Sequence, residues 1–451
     1  MKYVNVIGGG LAGSEAAWQI AERDIKVHLF EMRPHVSTGA HQTENLAELV
    51  CSNSLGSNLP DRASGVLKSE LRCLSSILLE IAEQTALPAG SALAVDRNLF
   101  SQKVTERLAA HPNIEIIRQE ITEIPTGPTI IASGPLSSHS LSEAIARFSG
   151  QEHLYFFDAI SPIVSADSSD MEIAYRASRW GKDEEQAGDY INCPFHEKTD
   201  YKSFVSALSS AERIKLHDFE MDIEEGVTAG PEQFFEGCLP VEIIASRGEK
   251  ALAYGPMRPV GLADPRVPRP PYAVVQLRQD NLAGDIYNMV GFQTNLTFPE
   301  QRRVFRMIPG LSTAEFVRYG QMHRNTFIAS PRLLHPTLQS KMRPELFFAG
   351  QITGVEGYMG NIATGLLAGW NMARLLHGEI PIKLPQETML GALCHYITHA
   401  EFKNFQPMKA NFGILPPLQI SLSKCTKLER ASLFANRAAL ELETFLKIYG
   451  K

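Results

Sequence analysis

YVNVIGGGLAG, at residues 3–13, places a glycine pattern directly behind a short apolar run. The run is long enough for one buried strand, and Gly8, Gly10 and Gly13 satisfy the spacing GxGxxG. In such a turn the first glycine permits the sharp bend and the second lets the backbone approach a pyrophosphate. The third lets the following helix pack close to the strand. The stretch therefore predicts a dinucleotide-binding fold.

The residues that follow complete this pattern. A helical stretch from Leu11 to about Arg23 leads into an alternating run, IKVHLF at 25–30, which ends in Glu31. A helix N-terminus attracts phosphate, and an acid after the second strand can accept hydrogen bonds from ribose hydroxyls. The motif does not separate NAD from FAD, and the acid at position 31 argues only against a 2′-phosphate there.

A second turn from strand to glycine to helix is predicted far along the chain. The sequence ELFFAGQ at 345–351 indicates a buried strand running into glycine. A helix follows, with Leu366, Trp370 and Ala373 at helical spacing, and stops at Gly378. Two such turns can bring two helix N-termini to one long ligand such as FAD, with the second turn near the flavin ring. The alternative is an ordinary second turn with no ligand.

The composition is that of an ordinary globular protein. Of the 451 residues, 44% are hydrophobic and 21% are charged, which excludes disordered, collagenous and disulfide-scaffold proteins. The net charge is −7 and the pI is near 6.0, so a nucleic-acid site would need a local basic face. From about residue 180 the alternation of strands and helices is lost, and we expect an insertion from there to about residue 325.

Arginines are frequent in this insertion and just beyond it. They occur at positions 258, 266, 269, 278, 302, 303, 306, 318 and 324. Phosphate contacts to RNA require such a basic surface, although the usual interpretation of such charges is a solvated face. Earlier in the chain, VDR at 95–97 precedes a helical stretch and could face a cofactor. We prefer the alternative, an N-cap Asp96 followed by a solvated Arg97.

The six cysteines include no CxxC pair, so a zinc ribbon or a thioredoxin-like motif is not expected, and no metal site is predicted. Sparse cysteines fit a reducing compartment. No apolar run reaches the roughly 18 residues of a membrane helix, and no signal-peptide pattern is present. We therefore expect a cytoplasmic protein with no membrane contact.

Two cysteines lie in loops of unusual composition. Cys51 is part of LVCSNSLGSN at 49–58, a loop type that holds backbone groups close to a ligand, and Cys238 is part of FFEGCLPVE at 234–242. A cysteine is more often a small buried hydrophobe than a nucleophile, so both roles stay open from the residues alone. For the other four cysteines we expect a structural role rather than a catalytic one. They are Cys73, Cys193, Cys394 and Cys425.

Together these segments resemble one family, the folate- and FAD-dependent tRNA (uracil-5-)-methyltransferases, known as the TrmFO family. The resemblance covers nearly the whole chain. It rests on residues 6–17, 31–34, 49–54, 236–242 and 348–358. The first and last segments are shared with the larger GidA-type tRNA-modifying flavoproteins, whereas the two cysteine segments and the shorter length favour the methyltransferases.

The resemblance implies an α/β fold with a Rossmann-like FAD-binding domain of the two-dinucleotide type. This domain would comprise residues 1–180 and 325–451, and an inserted smaller α/β domain at 181–324 would contribute to the tRNA site. The residues implied in FAD binding are Gly8, Gly9, Gly10, Leu11, Ala12, Gly13, Glu31, Arg33, Gly350, Gln351 and Gly354. No obligate protein partner is implied.

The resemblance also implies a reaction. The uridine at position 54, in the T-loop of tRNA, would be methylated at carbon 5 to ribothymidine. Methylenetetrahydrofolate would supply the carbon, reduced FAD the electrons, and NADPH or NADH would regenerate the reduced flavin. Thiolate addition at carbon 6 makes carbon 5 nucleophilic. Cys238 is the expected nucleophile and Cys51 the thiol beside the flavin, an order that the sequence does not settle.

Two other functions are compatible with the same features. A short GidA-like flavoprotein would modify an anticodon uridine instead, and mapping the modified nucleotide separates the two. A non-catalytic flavoprotein would bind tRNA as a chaperone or assembly factor, and both cysteines would then be dispensable. The sequence indicates neither the oligomeric state nor the folate contacts.

Overall fold

The computed structural model describes residues 3–38, 40–150, 154–181, 189–214, 239–264, 266–418 and 425–449. Its strands are β1 (Tyr3–Ile7), β2 (Lys26–Glu31), β3 (Ser54–Ser57), β4 (Ala86–Leu87), β5 (Ala92–Val95), β6 (Ile114–Arg118), β7 (Thr129–Ile131), β8 (Leu154–Ala159), β9 (Ile163–Ser165), β10 (Tyr175–Arg176), β11 (Tyr190–Phe195), β12 (Ala273–Gln279), β13 (Ile286–Met289), β14 (Phe316–Arg318), β15 (Met322–Phe327) and β16 (Leu346–Phe348). Its α-helices are α1 (Leu11–Ala21), α2 (Ala63–Cys73), α3 (Ile77–Gln84), α4 (Arg97–Ala109), α5 (His139–Ser149), α6 (Lys198–Ser210), α7 (Val241–Ser246), α8 (Ala251–Tyr254), α9 (Phe298–Phe305), α10 (Ser330–Leu333), α11 (Tyr358–Leu376), α12 (Met389–His399) and α13 (Lys427–Tyr449). Within these ranges, no helix combines the length and the apolar character that crossing a membrane requires.

A parallel five-stranded sheet forms the first unit. Its strand order is β16-β7-β1-β2-β6, and every neighbouring pair is parallel. Strand β1 is buried except at its first residue, as expected for a parallel strand covered on both faces. The order reverses beside β1, and in such sheets ligands bind at the carboxyl end of the strands at this point. The predicted Rossmann-like α/β fold is confirmed.

A second sheet forms the core of the other unit. Its six strands run in the order β10-β11-β12-β13-β9-β14, and all neighbouring pairs are antiparallel. Antiparallel neighbours need no crossover helix, which explains why the alternation of strands and helices is lost here. The sheet packs on its own apolar cluster, which includes Phe195, Phe204 and Phe292.

The chain passes between the two units through β8 and β15, which pair with each other in antiparallel register. Strands β9 and β10 belong to the second sheet although both precede residue 181. The insertion limits of 181 and 324 stay a prediction, and we propose that the crossings lie at β8 and β15 instead.

Helix α1 packs on helix α11 with direct backbone contact. A Cβ atom added at Gly365 would lie 2.2 Å from the carbonyl oxygen of Ala12, and one at Gly369 would lie 2.7 Å from that of Ala16. No side chain fits at either glycine without moving a helix. The contact brings together the two glycine turns that precede these helices.

Helix α12 begins on a buried carboxylate. Glu70, on α2, is 2% exposed and accepts hydrogen bonds from the backbone N–H groups of Met389 (2.6 Å) and Leu390 (2.9 Å). Burial raises the pKa of Glu70 to about 7, although the two N–H donors act in the opposite direction. A side chain of the first unit thus caps a helix more than 300 residues further along the chain.

Replacing Glu70 with glutamine is expected to change how stability depends on pH. The pKa is about 7 in the folded chain and about 4.3 when unfolded. Native Glu70 therefore contributes stability that is fully present below about pH 4 and is lost as the pH rises through about 7. Between pH 5 and pH 8, the free energy of unfolding of Glu70→Gln should rise by about 2–3 kcal/mol relative to the native protein.

Urea denaturation at each pH measures this change. The control is Glu106→Gln at an exposed position on α4, which should differ from the native protein by the same amount at both pH values. A difference for Glu70→Gln that does not vary with pH would contradict the prediction.

Candidate functional site

A cleft opens at the carboxyl end of β1. It lies between the two glycine turns. Residues from the first turn and β2 that line it are Gly8, Gly10, Leu11, Ala12, Glu31 and Arg33, and residues from the second turn are Gly350 and Gln351. The structure therefore brings together most of the residues expected to contact FAD.

Each glycine of GxGxxG has its own geometric requirement. Gly8 has φ of 102°, and a Cβ there would lie 2.6 Å from the carbonyl oxygen of Ala132. A Cβ at Gly13 would lie 1.8 Å from the carbonyl oxygen of Gly8, so this position closes the turn without facing the cleft. At Gly10 no atom lies within 4 Å of the added Cβ, and φ is −74°. The bare Gly10 backbone at the start of α1 thus faces open space, which fits a dinucleotide pyrophosphate.

Glu31 has a second role beside the expected one. Its carboxylate accepts hydrogen bonds from the N–H of Gly9 (3.0 Å) and from the backbone N–H and Nε of Arg33 (3.1 and 2.9 Å). Burial alone would raise the pKa of Glu31, but the hydrogen bond and charge of Arg33 outweigh it and hold the pKa below its usual range. Glu31 is thus an ionised acceptor that also fixes the glycine turn, and a carboxylate has room for further donors such as ribose hydroxyls.

The second turn contributes unevenly to the cleft. Gly350 has φ of 81°, and its N–H donates to Thr364 Oγ1 (2.9 Å), which fixes the turn to α11. Gln351 donates from Nε2 to Glu356 (2.9 Å). Gly354 lies against the ring of Phe405, where an added Cβ would come within 2.6 Å. Gly354 therefore shapes the turn but is not among the residues that line the cleft.

The loop that carries Cys51 borders the same cleft, which Val50 and Tyr358 help to line. The Tyr358 hydroxyl accepts hydrogen bonds from the N–H groups of Cys51 (2.8 Å) and Ser52 (3.1 Å). Burial and the charge of Cys51 raise the pKa of Tyr358, so the phenol stays protonated near neutral pH. Because Tyr358 is the first residue of α11, the second glycine turn also positions this loop.

Arg97, Arg278 and Arg318 donate hydrogen bonds to residues 49–53 around Cys51, and all three interact electrostatically with Cys51. The acceptors are the carbonyl of Leu49 for Arg97 (2.6 Å), the carbonyl of Val50 for Arg318, and Ser52 Oγ (2.7 Å) and Asn53 Oδ1 (2.8 Å) for Arg278. Burial lowers the pKa of Arg278 and lowers that of Arg318 to about 10. Arginines that stay charged beside a thiol favour its thiolate form.

Arg97 also connects the two units. Its Nη2 lies 3.0 Å from Oδ1 of Asp280, directly after β12, and the two side chains are 9% and 2% exposed. Burial alone would lower the pKa of Arg97, but the charge of Asp280 outweighs it and raises the pKa. The prediction of a solvated Arg97 is therefore wrong, whereas Asp96 does cap α4 by accepting from the N–H of Leu99 (2.9 Å).

The other arginines of the second unit are partly as expected. Arg302 and Arg303 lie on the surface, and Arg303 pairs with Glu300 at 2.6 Å. Arg278 and Arg318 are exceptions to a solvated face, because both point at the Cys51 loop.

The remaining cysteines differ in environment. Cys193 and Cys394 are buried, and burial raises the pKa of each thiol to about 12, in keeping with a structural role. Cys73 is exposed at the end of α2. Cys238 lies outside the described residues. Just after it, the buried carboxylate of Glu242 accepts hydrogen bonds from Thr294 Oγ1 (2.9 Å) and from the N–H of Asn295 (2.7 Å), which anchors that part of the chain.

Comparison with known proteins gives matches over nearly the full length. The family model of glucose inhibited division protein A matches residues 3–380. Methylenetetrahydrofolate–tRNA-(uracil-5-)-methyltransferase TrmFO of Enterococcus faecalis is 56% identical over 437 residues, which are 97% of both chains. The protein of the same name from Ligilactobacillus salivarius is 54% identical over 442 residues, 98% of both chains.

This chain belongs to the TrmFO family. Its fold also resembles two crystal forms of Aquifex aeolicus GidA. The superposition on form II has a TM-score of 0.66 at 16% identity and covers 98% of this chain and 73% of the GidA chain. The superposition on form I has a TM-score of 0.65 at 17% identity and covers 99% of this chain and 78% of the GidA chain. At this identity the likeness establishes the fold that this TrmFO chain shares with GidA.

Sequence reasoning missed four residues that the structure places around Cys51 in this TrmFO chain. Arg278 and Arg318 appeared only as surface charge, Arg97 as a solvated residue, and Tyr358 only within a resembling segment. One signal was available for Arg97, since it lies two residues after the apolar run ALAV at 92–95. An arginine at the end of a buried strand needs a partner, and the carboxylate of Asp280 is that partner.

Proposed function

We propose that this chain is a methylenetetrahydrofolate–tRNA-(uracil-5-)-methyltransferase that uses reduced FAD. One observation carries the proposal. The Cys51 loop, with its three arginines and Tyr358, borders the cleft that the two glycine turns form. A thiol and a dinucleotide site therefore lie side by side, which a reaction with both covalent and redox steps requires. Relatives that carry this name at 54–56% identity support the same activity.

The residues present fit FAD. The N–H groups at the start of α1, beside Gly10, would hold the pyrophosphate, Glu31 would accept from the ribose, and Gly350 and Gln351 would lie towards the flavin ring. When bound and reduced, FAD supplies electrons and relays the one-carbon unit. NADPH or NADH would restore the reduced form.

The thiols would act on the base. Addition of a thiolate to carbon 6 of uracil pushes electron density to carbon 5, which can then take the one-carbon unit. The carbon-5 proton would then be lost, the bond from the methylene carbon to its carrier would break, and two electrons and a proton, supplied as a hydride by the reduced cofactor, would convert the methylene into a methyl group. Departure of the thiolate would restore the double bond between carbons 5 and 6 and regenerate the enzyme. We assign the attack to Cys238, on sequence grounds, and proton removal or carbon transfer to Cys51. The charges of Arg97, Arg278 and Arg318 would favour the thiolate form of Cys51, and Tyr358 would fix the loop.

The substrate would be the T-loop uridine at position 54 of tRNA. The enzyme would act in the cytoplasm, where tRNA is found. A base inside a folded loop cannot reach a thiol in a cleft, so the uridine must first turn out of its stack. The Cys51 loop suits this, because it borders the cleft and also contacts the second unit through Arg278 and Arg318.

Transfer of isotope from the folate tests this function directly. Purified protein is incubated with unmodified tRNA, NADPH and methylenetetrahydrofolate labelled in the methylene carbon. The label is expected in the methyl group attached to carbon 5 of the T-loop uridine. No label is expected from S-adenosylmethionine, because the proposal assigns the glycine turn to FAD. Nucleoside mapping by mass spectrometry locates the label.

The other outcomes separate the remaining candidates. Label only from S-adenosylmethionine would refute the proposal. Label in an anticodon uridine would favour a GidA-like enzyme. A protein that binds FAD and tRNA without any transfer would be the non-catalytic flavoprotein.

A further inference from the structure

A row of aromatic rings reaches the surface of the second unit. The rings of Phe298 and Tyr319 are stacked at a centroid distance of 4.9 Å and an angle of 18°, and those of Phe316 and Tyr319 at 5.2 Å and 15°. Phe316 in turn meets the buried Phe305 at 6.4 Å. The outermost ring, Phe298, is still 41% exposed although it is stacked on Tyr319. We call Phe298, Tyr319 and Phe316 the aromatic platform.

The aromatic platform carries positive charge at its side. Arg302 donates two hydrogen bonds to the Tyr319 hydroxyl (2.7 and 3.1 Å), and its guanidinium carbon lies 5.9 Å from the centre of that ring. Arg302 is exposed and has no carboxylate partner among the described ion pairs, whereas the neighbouring Arg303 is paired with Glu300. A charged donor beside a flat apolar face matches the chemistry of a nucleotide, which has an anionic phosphate and a planar base.

The aromatic platform is continuous with the site around Cys51. Phe316 and Arg318 are two residues apart on β14, which has an irregular register between them. Arg318 donates a hydrogen bond to the carbonyl of Val50, next to Cys51. A nucleic acid whose target base enters the cleft therefore passes close to this edge of the second sheet.

We propose that the aromatic platform binds a base of the RNA substrate that is unstacked when the target base turns out. The inference rests on the proposed function, since it takes the substrate to be RNA with a single-stranded loop. Turning one base out leaves a neighbouring base without its stacking partner, and an exposed aromatic ring replaces that partner for any base. The alternative is that the rings only shield the edge strand β14 from water. An aliphatic side chain would be enough for that role, so it does not explain a stack of parallel rings.

The test is the binding of unmodified tRNA transcript to the FAD-loaded protein. Phe298→Leu keeps an apolar side chain but removes the flat ring, and the dissociation constant is expected to rise about tenfold. KM for tRNA should rise similarly while kcat changes little, because the platform does not touch the reacting atoms. Arg302→Gln should lower the slope of log K against log salt by about one.

Two further variants keep the result interpretable. Phe298→Trp retains a ring, so affinity should be kept, and the fluorescence of the introduced tryptophan should be quenched by tRNA. Tyr254→Leu alters an aromatic side chain that is 75% exposed on α8 of the same unit, and it should leave binding unchanged. The flavin spectrum and melting temperature show whether each variant is folded.

Native-like tRNA affinity in Phe298→Leu, or absent quenching in Phe298→Trp, would overturn the proposal and leave the platform as cover for the sheet edge. Failure of the proposed function would look different. In that case the native protein itself would transfer no label from methylenetetrahydrofolate to tRNA.

Discussion

Replacing Cys51 with alanine is expected to slow tRNA methylation by about a thousandfold or more while FAD stays bound. The thiol lies in a loop held by three arginines and by Tyr358, at the border of the cleft. Serine should restore little activity, because a hydroxyl is not ionised near neutral pH even beside positive charge. Single-turnover methylation measures the rate, and the flavin absorbance reports cofactor content.

Cys73→Ala is the matched control, because Cys73 is exposed at the end of α2 and does not line the cleft. It should methylate at the native rate. With tRNA carrying 5-fluorouridine, the native enzyme should form a covalent complex that survives denaturation. Cys238→Ala should lose this complex, whereas Cys51→Ala should keep it. The reverse result would exchange the two roles, and normal methylation by both variants would refute the two-thiol mechanism.

Gly10→Leu is expected to yield folded but colourless protein. The added side chain meets no protein atom at its Cβ, and the φ of −74° suits any residue, so the fold should tolerate it. The same side chain extends into the cleft where the pyrophosphate would approach the backbone. The molar ratio of flavin to protein should fall from near one to near zero, with the melting temperature close to that of native protein stripped of FAD.

Gly13→Leu provides the contrast. Its Cβ would lie 1.8 Å from the carbonyl oxygen of Gly8, so α1 cannot keep its place and the protein should be insoluble or unfolded. If Gly10→Leu retains a full complement of flavin, the assignment of this turn to the pyrophosphate is wrong. If the native protein cannot be loaded with FAD, the interpretation of the cleft as the FAD site is wrong.

Local patterns were sufficient for the first unit. The strand, the glycine turn, α1 and Glu31 lie within about 30 residues, so the spacing alone predicted their arrangement. Helix α11, which ends at Leu376 shortly before Gly378, followed in the same way from its apolar spacing. The residues assigned to FAD contact stay predictions, although most of them line one cleft.

The surroundings of Cys51 were not predictable in this way. Arg97 and Asp280 are 183 residues apart in sequence, and the buried pair exists only because two units meet there. Arg278 and Arg318 occur among many arginines, and only the register of β12 and β14 decides that these two face the loop. The insertion limits were hard to place because β9 and β10 have only three and two residues, too short for a periodic signal.

The close packing of α1 on α11 has a consequence for how the molecule adapts to its ligands. Because Gly365 and Gly369 put backbone against backbone, the two turns ahead of these helices keep one spacing. A cofactor that spans both turns therefore binds to a preorganised site, and its binding loses little free energy to the ordering of protein loops. The joint between the units is made differently, from separate side-chain bonds such as Arg97 to Asp280 and Asn53 to the carbonyl of Gln279. Such bonds can break and re-form one at a time. We therefore expect the two units to adjust their positions when a large substrate binds, while the spacing of the two glycine turns stays fixed.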